Sequence, residues 1–430
     1  MATGTPLTLN QWLERIEACH PSDIELGLDR VRAVAARLEL DFSRSKVVTI
    51  AGTNGKGSTQ TFLDYMLREA GYSTACYSSP HFLRYNERVR INGAEASDEV
   101  LCDAFVAVEA ARGKIPLTYF EYGTLAALRI FSQQAPDMVL LEVGLGGRLD
   151  AVNIVDPQVA VVTTVALDHT DWLGDTRELI GREKAGIFRA ETPAVCGDPE
   201  PPATVAEVAQ ELGARLYQVG DSFAFHEKQQ EQSQSWDWQG RNQQGESVEL
   251  SDLPVPGLPL PNAATALQVL HLLLDTPSRS CIEAALRNAV MTGRMQRLML
   301  GDTECILDVA HNPQAAQYIA GRLAKSPPAG RLHVLLGMLN DKDVQGVLKA
   351  LQPVVQCWHF VSLGGPRGQS AAALALRMAE LDPQAQCLTY SDVAEALAAV
   401  RQQVAVGDRV LIAGSFFTVS EALAQLELQA

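Results

Sequence analysis

The 430-residue sequence has no apolar run near the roughly 20 residues that a membrane-crossing helix needs, so no transmembrane span is expected. Residues 1–20 lack a basic stretch followed by an apolar one, so no signal peptide is expected. Eight cysteines are scattered with no C-x-x-C pair, which disfavours zinc sites and disulfide frameworks. Most lie in apolar surroundings, such as Cys76 in 74-TACYSS-79 and Cys305 in 304-ECILDV-309, and read as reduced, buried thiols of a cytoplasmic protein. Positive charge is in the minority: 35 Lys and Arg against 51 Asp and Glu give a net charge of −16. That balance argues against a general nucleic-acid or membrane-surface binder, and leaves any anionic ligand to local groups. No N-K-x-D tetrapeptide occurs, so the guanine-reading element of a GTP switch is missing.

What is present is a chain long enough for two cores, with 47% apolar and 20% charged residues. Short β-branched runs at 46–52, 73–79, 138–144 and 158–166 alternate with helical patterns, which predicts an α/β fold with a mainly parallel sheet. A helix is expected over 58–72, with Gly71 near its C-terminal cap. The segment 227–247 turns polar and glutamine-rich, yet Trp236 and Trp238 at strand spacing predict an exposed hairpin or small appended sheet. A second α/β series follows, with strands at 304–310, 332–338, 357–363 and 409–415. The simplest division is an N-terminal phosphate-loop domain over 1–293 and a smaller, Rossmann-like α/β domain over 294–430.

The stretch 47-VVTIAGTNGKGSTQTF-62 fails the standard phosphate-loop pattern, because Ile50 stands in place of the first glycine and Gly57 in place of the hydroxyl. Its context is nevertheless that of a phosphate cradle: a strand, a glycine-rich turn, then a helix start whose N–H groups and Lys56 can face an anion. Gly52, Gly55, Lys56, Gly57 and Ser58 are the candidates there, against the plainer reading of a glycine-rich turn with a solvated lysine. Glu142 ends an apolar strand before the glycine-rich 143-VGLGGRLDA-151, the layout that brings a carboxylate near magnesium in phosphate-loop enzymes. Asp168, His169 and Asp171 follow another strand; a metal role for His169 is plausible there, although magnesium prefers oxygen ligands. In 182-REKAGIF-188, spacing alone favours an exposed helix end with Glu183 and Lys184 in solvent. The loop 78-SSPHFLRYNERVR-90 can hold an acidic substrate or a metal, or simply lie on the surface. In the second series Asp308 and His311 sit at a strand end, and with Arg294 they suggest a nucleotide covered by that domain.

Together 52-GTNGKGS-58, 79-SPHFLRYNERVR-90, 142-EVGLGGRLDA-151, 167-LDHTDWLG-174, 183-EKAGI-187 and 308-DVAHNP-313 resemble the folylpolyglutamate synthases, within the muramyl-ligase-like ATP-dependent amide ligases. The likeness runs from near residue 25 to the GSF at 414–416. It is nearest to the bifunctional branch that also makes dihydrofolate, on 25-ELGLDR-30, 117-LTYFEYGT-124 and 147-GRLDA-151. The resemblance implies that Asn54 to Ser58 hold the ATP phosphates, with Lys56 catalytic, and that Asn262, Arg294, Asp308 and His311 contact the nucleotide. It implies magnesium ligands at Ser79, Glu142 and His169, and a carbamylated Lys184, which reverses the solvent-facing reading of that lysine. It also implies a pteroate pocket lined by Glu25, Leu26, Gly27, Leu28, Thr118, Tyr119, Phe120, Glu121, Leu149, Asp150 and Ala151. Dihydropteroate, folates and L-glutamate are then the expected substrates of a monomer. A single-activity relative or a cell-wall amino-acid ligase is the alternative. Phe417 stands where close relatives can carry a polar residue, and no chemistry is assigned to it.

Overall fold

Runs of Val, Ile and Leu too short for helices, such as 47-VVTI-50 and 139-VLL-141, form the buried strands of a sheet covered on both faces. In the computed structural model, which describes residues 6–20, 24–230 and 233–427, the chain divides into two units, Met1–Ala289 and Val290–Ala430. The division therefore falls four residues before the boundary expected from the sequence.

The first unit is built on eight strands: β1 (Lys46–Ala51), β2 (Thr74–Tyr77), β3 (Val89–Ile91), β4 (Ala94–Glu95), β5 (Met138–Glu142), β6 (Val159–Val162), β7 (Pro193–Cys196) and β8 (Arg215–Gln218). They lie in the order β4-β3-β2-β5-β1-β6-β7-β8. β2 through β8 in that order are parallel, while β3 and β4 make an antiparallel edge. From β1 the chain crosses to β2 on one side, and later continues through β6, β7 and β8 on the other. The strand order reverses beside β1, so its carboxyl end is the crevice where open α/β sheets bind ligands.

The segment after β8 forms a separate sheet of β9 (Ala224–Gln230), β10 (Ser233–Arg241) and β11 (Ser247–Pro254), in the order β11-β10-β9. A small sheet is what the tryptophan spacing predicts, but Trp236 and Trp238 are fully buried. Period-2 spacing puts both indoles on one face. Trp238 stacks on His271 at 5.1 Å between ring centres and donates Nε1–H to the Ala264 carbonyl at 3.1 Å. The Gln268 amide closes the joint as a further strand would, accepting from Arg241 N at 3.0 Å and donating to Arg241 O at 2.8 Å. These partners lie on the helix Leu260–Leu273. Trp238→Ala should cost about 3–5 kcal/mol, the range for removing a large buried aromatic. Urea unfolding followed by circular dichroism checks this, and a loss well below that range would mean the sheet is only loosely attached.

The second unit carries β12 (Gln296–Leu300), β13 (Thr303–Leu307), β14 (Leu332–Leu336), β15 (Cys357–Val361), β16 (Gln386–Tyr390) and β17 (Arg409–Ala413). Their order is β12-β13-β17-β14-β15-β16, parallel except for β12 on β13. Its core is made from inward apolar residues such as Ile306, Val334, Leu336, Phe360 and Leu411. All eight cysteines are free thiols. No helix among the described residues is long and apolar enough to cross a membrane.

Candidate active site

β1 ends at Ala51 and the helix Lys56–Glu69 begins four residues after Gly52. The turn between them is held by the residues leaving β6. Thr53 N donates to Thr164 O at 2.7 Å, Asn54 N to Thr164 Oγ1 at 3.0 Å, and Thr163 Oγ1 to Asn54 O at 2.6 Å. Ala166 N donates to Thr53 Oγ1 at 3.0 Å, so the loop is sewn to one neighbour along its length. Two glycines are required. Gly52 has φ +151° and a Cβ there would strike Thr163 Oγ1; Gly55 has φ +89° and a Cβ would strike the Asn262 side chain. The turn thus presents the first amides of a helix, which have no intrahelical partner, at the switch point of the sheet. Lys56 Nζ lies over the turn and donates to Gly52 O at 3.1 Å. Gly57 and Ser58 are buried in the first turn. Gly55→Ala combines a left-handed backbone with a clash, so it should destabilise the loop by about 1–3 kcal/mol and weaken nucleotide binding. Calorimetric titration with ADP checks this; unchanged affinity would show that the loop adapts.

Glu142 ends β5 with its side chain buried, opposite Ile50 of β1 in register. Ser79 follows β2, the other neighbour of β5, and His169 follows β6. His169 takes a left-handed φ of +51° and starts a short helix over Thr170–Leu173, with its side chain 43% exposed and its Nε2 3.9 Å from Asp168 Oδ2. Ser79, Glu142 and His169 therefore follow the carboxyl ends of three parallel strands of one sheet, β2, β5 and β6, with β1 and its phosphate loop lying between β5 and β6. Among the described residues no three or more His, Cys, Asp or Glu gather as a metal centre. The Glu142 carboxylate and the Ser79 hydroxyl are oxygen donors that suit Mg2+, which is commonly held by one or two carboxylates with substrate phosphates and water completing its shell; the His169 imidazole is the donor that departs from that preference.

Lys184, near the end of the helix Arg177–Ala185, is 4% exposed, so the solvent-facing reading from spacing alone does not hold. Burial lowers its pKa to about 7; Lys56 pushes the same way, and Asp168 and Asp150 oppose it. Asp150 is also buried, and burial raises its pKa to about 6 against the pull of backbone amides and Lys56. Its Oδ2 accepts from Leu145 N at 2.8 Å and its Oδ1 from Val152 N at 3.0 Å, so this carboxylate shapes the glycine-rich exit and caps the turn Ala151–Ile154. Two lysines and two aspartates from four separate segments thus share one electrostatic field.

The three segments expected to line a pteroate pocket also meet. Arg30 binds the Glu25 carboxylate, donates to Glu25 O at 2.9 Å, and reaches Glu121 Oε1 at 2.9 Å. Glu121 Oε2 accepts from Thr118 N at 2.8 Å in a capping box that starts the helix Tyr119–Gln134. The helix Asp29–Leu38, begun at buried Leu28, packs on both Tyr119–Gln134 and the turn Ala151–Ile154. Leu26 and Gly27 are half-buried between Glu25 and Leu28, and Leu149 is half-buried beside Asp150 and Ala151. The Phe120 ring packs against Gly144, where a Cβ would come within 2.7 Å of two ring carbons, and Tyr77 is 6.0 Å away between ring centres.

In the second unit, Asp308 follows β13 and is buried. It accepts from Met295 N and Ala310 N, each at 2.9 Å, and burial raises its pKa while Arg294 opposes this. Arg294 lies over the Phe416 ring at 5.2 Å, and His311 sits 6.5 Å from the same ring with Nδ1 2.8 Å from Val309 O. Asn262, expected on the nucleotide, belongs to the first unit and packs on Gly55. Phe417 is 57% exposed, while Phe416 is the ring that gathers Arg294 and His311. Arg30, Phe416 and the Thr163–Thr164 pair carry no assigned role in the sequence. The paired hydroxyls at the exit of an apolar strand were the available signal; for Arg30 and Phe416 only the fold supplies one.

Residues 50–267 match the Mur ligase middle domain, and residues 293–416 match the Mur ligase glutamate ligase domain. The dihydrofolate synthase/folylpolyglutamate synthase of Escherichia coli K12 is 46% identical over 415 residues, covering 96% of this chain and 94% of that protein. The structure of Escherichia coli FolC in complex with DHPP and ADP superposes with a TM-score of 0.92 at 45% identity, covering 98% of each chain. A bifunctional folylpolyglutamate synthase/dihydrofolate synthase with Mn, AMPPNP and L-glutamate bound gives 0.88 at 47% identity, again over 98% of each chain. The chain belongs to the Mur ligase family and, within it, to the dihydrofolate synthases/folylpolyglutamate synthases.

Proposed function

We propose that this chain uses ATP to join L-glutamate to dihydropteroate, forming dihydrofolate, and to tetrahydrofolate, forming folylpolyglutamate. The observation that carries the reading is Phe120 packed on Gly144: a residue of the proposed pteroate pocket touches the exit of the strand that ends in Glu142, beside the phosphate loop on β1. An acceptor bound by residues 25–28, 118–121 and 149–151 would lie next to the triphosphate.

A carboxylate is a poor acyl donor, so the reaction needs a better leaving group. One carboxylate oxygen of the acceptor attacks the γ-phosphorus of ATP, the bond to the β-phosphate oxygen breaks, and ADP leaves. The glutamate amine then attacks the resulting acyl phosphate at carbon, phosphate departs, and the amine proton is lost. In the first step two anions approach each other, and Lys56 with the amides of Asn54 to Ser58 offsets that charge. Ser79, Glu142 and His169 would hold Mg2+, which supplies further neutralisation of phosphate charge when bound. Asn262, Arg294, Asp308 and His311 are proposed as nucleotide contacts. Lys184 is proposed to carry a carbamate: a buried amine with a pKa near 7 is neutral often enough at physiological pH to take up CO2, which a solvated lysine is not. The product is an anion suited to the positive field of Lys56.

Activity as a cytoplasmic monomer belongs to the same proposal. Phosphate release with ATP and L-glutamate, comparing dihydropteroate with tetrahydrofolate as acceptor, tests it. Release with both is expected, and release with only one would reduce the enzyme to a single activity.

A further inference from the structure

The loop 79–84, which begins with Ser79, is exposed or half-buried throughout. Little apolar burial is available to hold it, so its order must come from polar contacts. These converge on Glu87. Phe82 N donates to Oε2 at 2.7 Å, and Leu83 N and Arg84 N both donate to Oε1 at 2.7 Å. Three successive amides thus point at one carboxylate. The root of the loop is closed by Ser78 N on Arg88 O at 3.0 Å, and its middle by Arg88 Nε on His81 Nδ1 at 2.8 Å. Glu87 itself sits in the turn Tyr85–Arg88, which leads straight into β3 of the main sheet.

We infer that Glu87 is a positioning residue: it ties the 79–84 loop to the sheet and thereby fixes the Ser79 hydroxyl where a divalent cation is to be bound. The inference rests on the reading of Ser79 as a metal ligand. Neutral glutamine keeps the size of the side chain but not its function, because its NH2 end would face a backbone N–H, donor against donor. Charge-assisted bonds to an ionised carboxylate are about twice as strong as neutral ones, so the loss extends to the remaining oxygen.

The test is Mn2+ titration by electron paramagnetic resonance, with a non-hydrolysable ATP analogue present, on the wild type, Glu87→Gln and Ser79→Ala. Glu87→Gln is expected to weaken Mn2+ binding by about 10- to 100-fold, the usual cost of losing a residue that orients a ligand. Affinity for the nucleotide without metal should not change, which separates positioning from a general loss of structure. Weak Mn2+ binding in Ser79→Ala with normal binding in folded Glu87→Gln would overturn the proposal. Normal binding in Ser79→Ala would instead remove Ser79 from the metal site, and the proposal with it. Amide hydrogen exchange in the wild type gives a check that needs no variant: Phe82, Leu83 and Arg84 should be protected, and exchange at the unprotected rate would also overturn it.

Discussion

Lys56→Ala is expected to lower ATP-dependent ligation by about 100- to 1,000-fold while the protein stays folded, the scale for removing one preorganised group from a developing charge. The side chain lies over the turn, bonded only loosely to Gly52 O at 3.1 Å, and the hydrogen bonds that shape the loop run through Thr53, Asn54, Thr163 and Thr164. Removing the amine should therefore leave the cradle intact and delete its charge. A second effect follows from the shared field. Lys56 helps to lower the pKa of Lys184, so its loss should raise that pKa and make the buried amine harder to carbamylate. Steady-state rates together with circular dichroism decide the matter. A folded variant with near-normal turnover would sink the phosphate-loop assignment.

Lys184→Ala is expected to be severely impaired and partly restored by short carboxylates such as acetate, which can stand in for a carbamate. The wild type should show the chemistry in its pH dependence. With a pKa near 7, the amine is mostly neutral above that pH and reacts with CO2, releasing one proton; below it the amine is mostly ammonium and does not react. In buffer stripped of CO2, activity should fall, and bicarbonate should restore it above about pH 7 much better than below. Stability carries the same signature. A lysine whose pKa drops on folding binds more protons in the unfolded state between about 7 and its ordinary value of 10.5, so stability rises with pH across that window. Below about 7 the penalty for burying the charge is fully present. A carbamate forms on the folded chain's neutral amine and reverts on unfolding to CO2 and an ammonium with uptake of protons, so bicarbonate should add stability above about pH 7 and leave the slope in place. Thermal unfolding against pH, with and without bicarbonate, reads it directly. Full activity of Lys184→Ala would show the carbamate role to be wrong.

The parts of this molecule that are legible in its sequence are those where local pattern and tertiary role coincide. β1, β2, β5 and β6, and in the second unit β13, β14, β15 and β17, are predominantly apolar and lack polar alternation because parallel strands are buried on both faces. β3, β4, β7, β8, β12 and β16 escape notice, being short or only partly buried: Ala94–Glu95 is exposed, Pro193–Cys196 has four residues, and Arg215–Gln218, Gln296–Leu300 and Gln386–Tyr390 are not fully covered. The small sheet is marked by the spacing of Trp236 and Trp238, but their burial depends on the helix Leu260–Leu273, many residues away. Lys184 shows the limit most sharply. In 182-REKAGIF-188 it sits among charged residues, as on a surface helix, and only tertiary contact makes it a buried cation. Residue types alone do not reveal the role of Glu87 either, because its partners are backbone amides. Arg30 likewise gains meaning only when the fold brings Glu25 and Glu121 to it.

In the proposed mechanism ATP activates the carboxylate of the acceptor before the glutamate amine attacks it. Dihydropteroate labelled with heavy oxygen in its carboxylate, incubated with ATP and L-glutamate, tests this most directly when the released phosphate is analysed by mass spectrometry. One heavy oxygen is expected in each phosphate, with the amide product retaining the other. Phosphate released without the label would mean that water, not the acceptor, attacks ATP, and would contradict the mechanism.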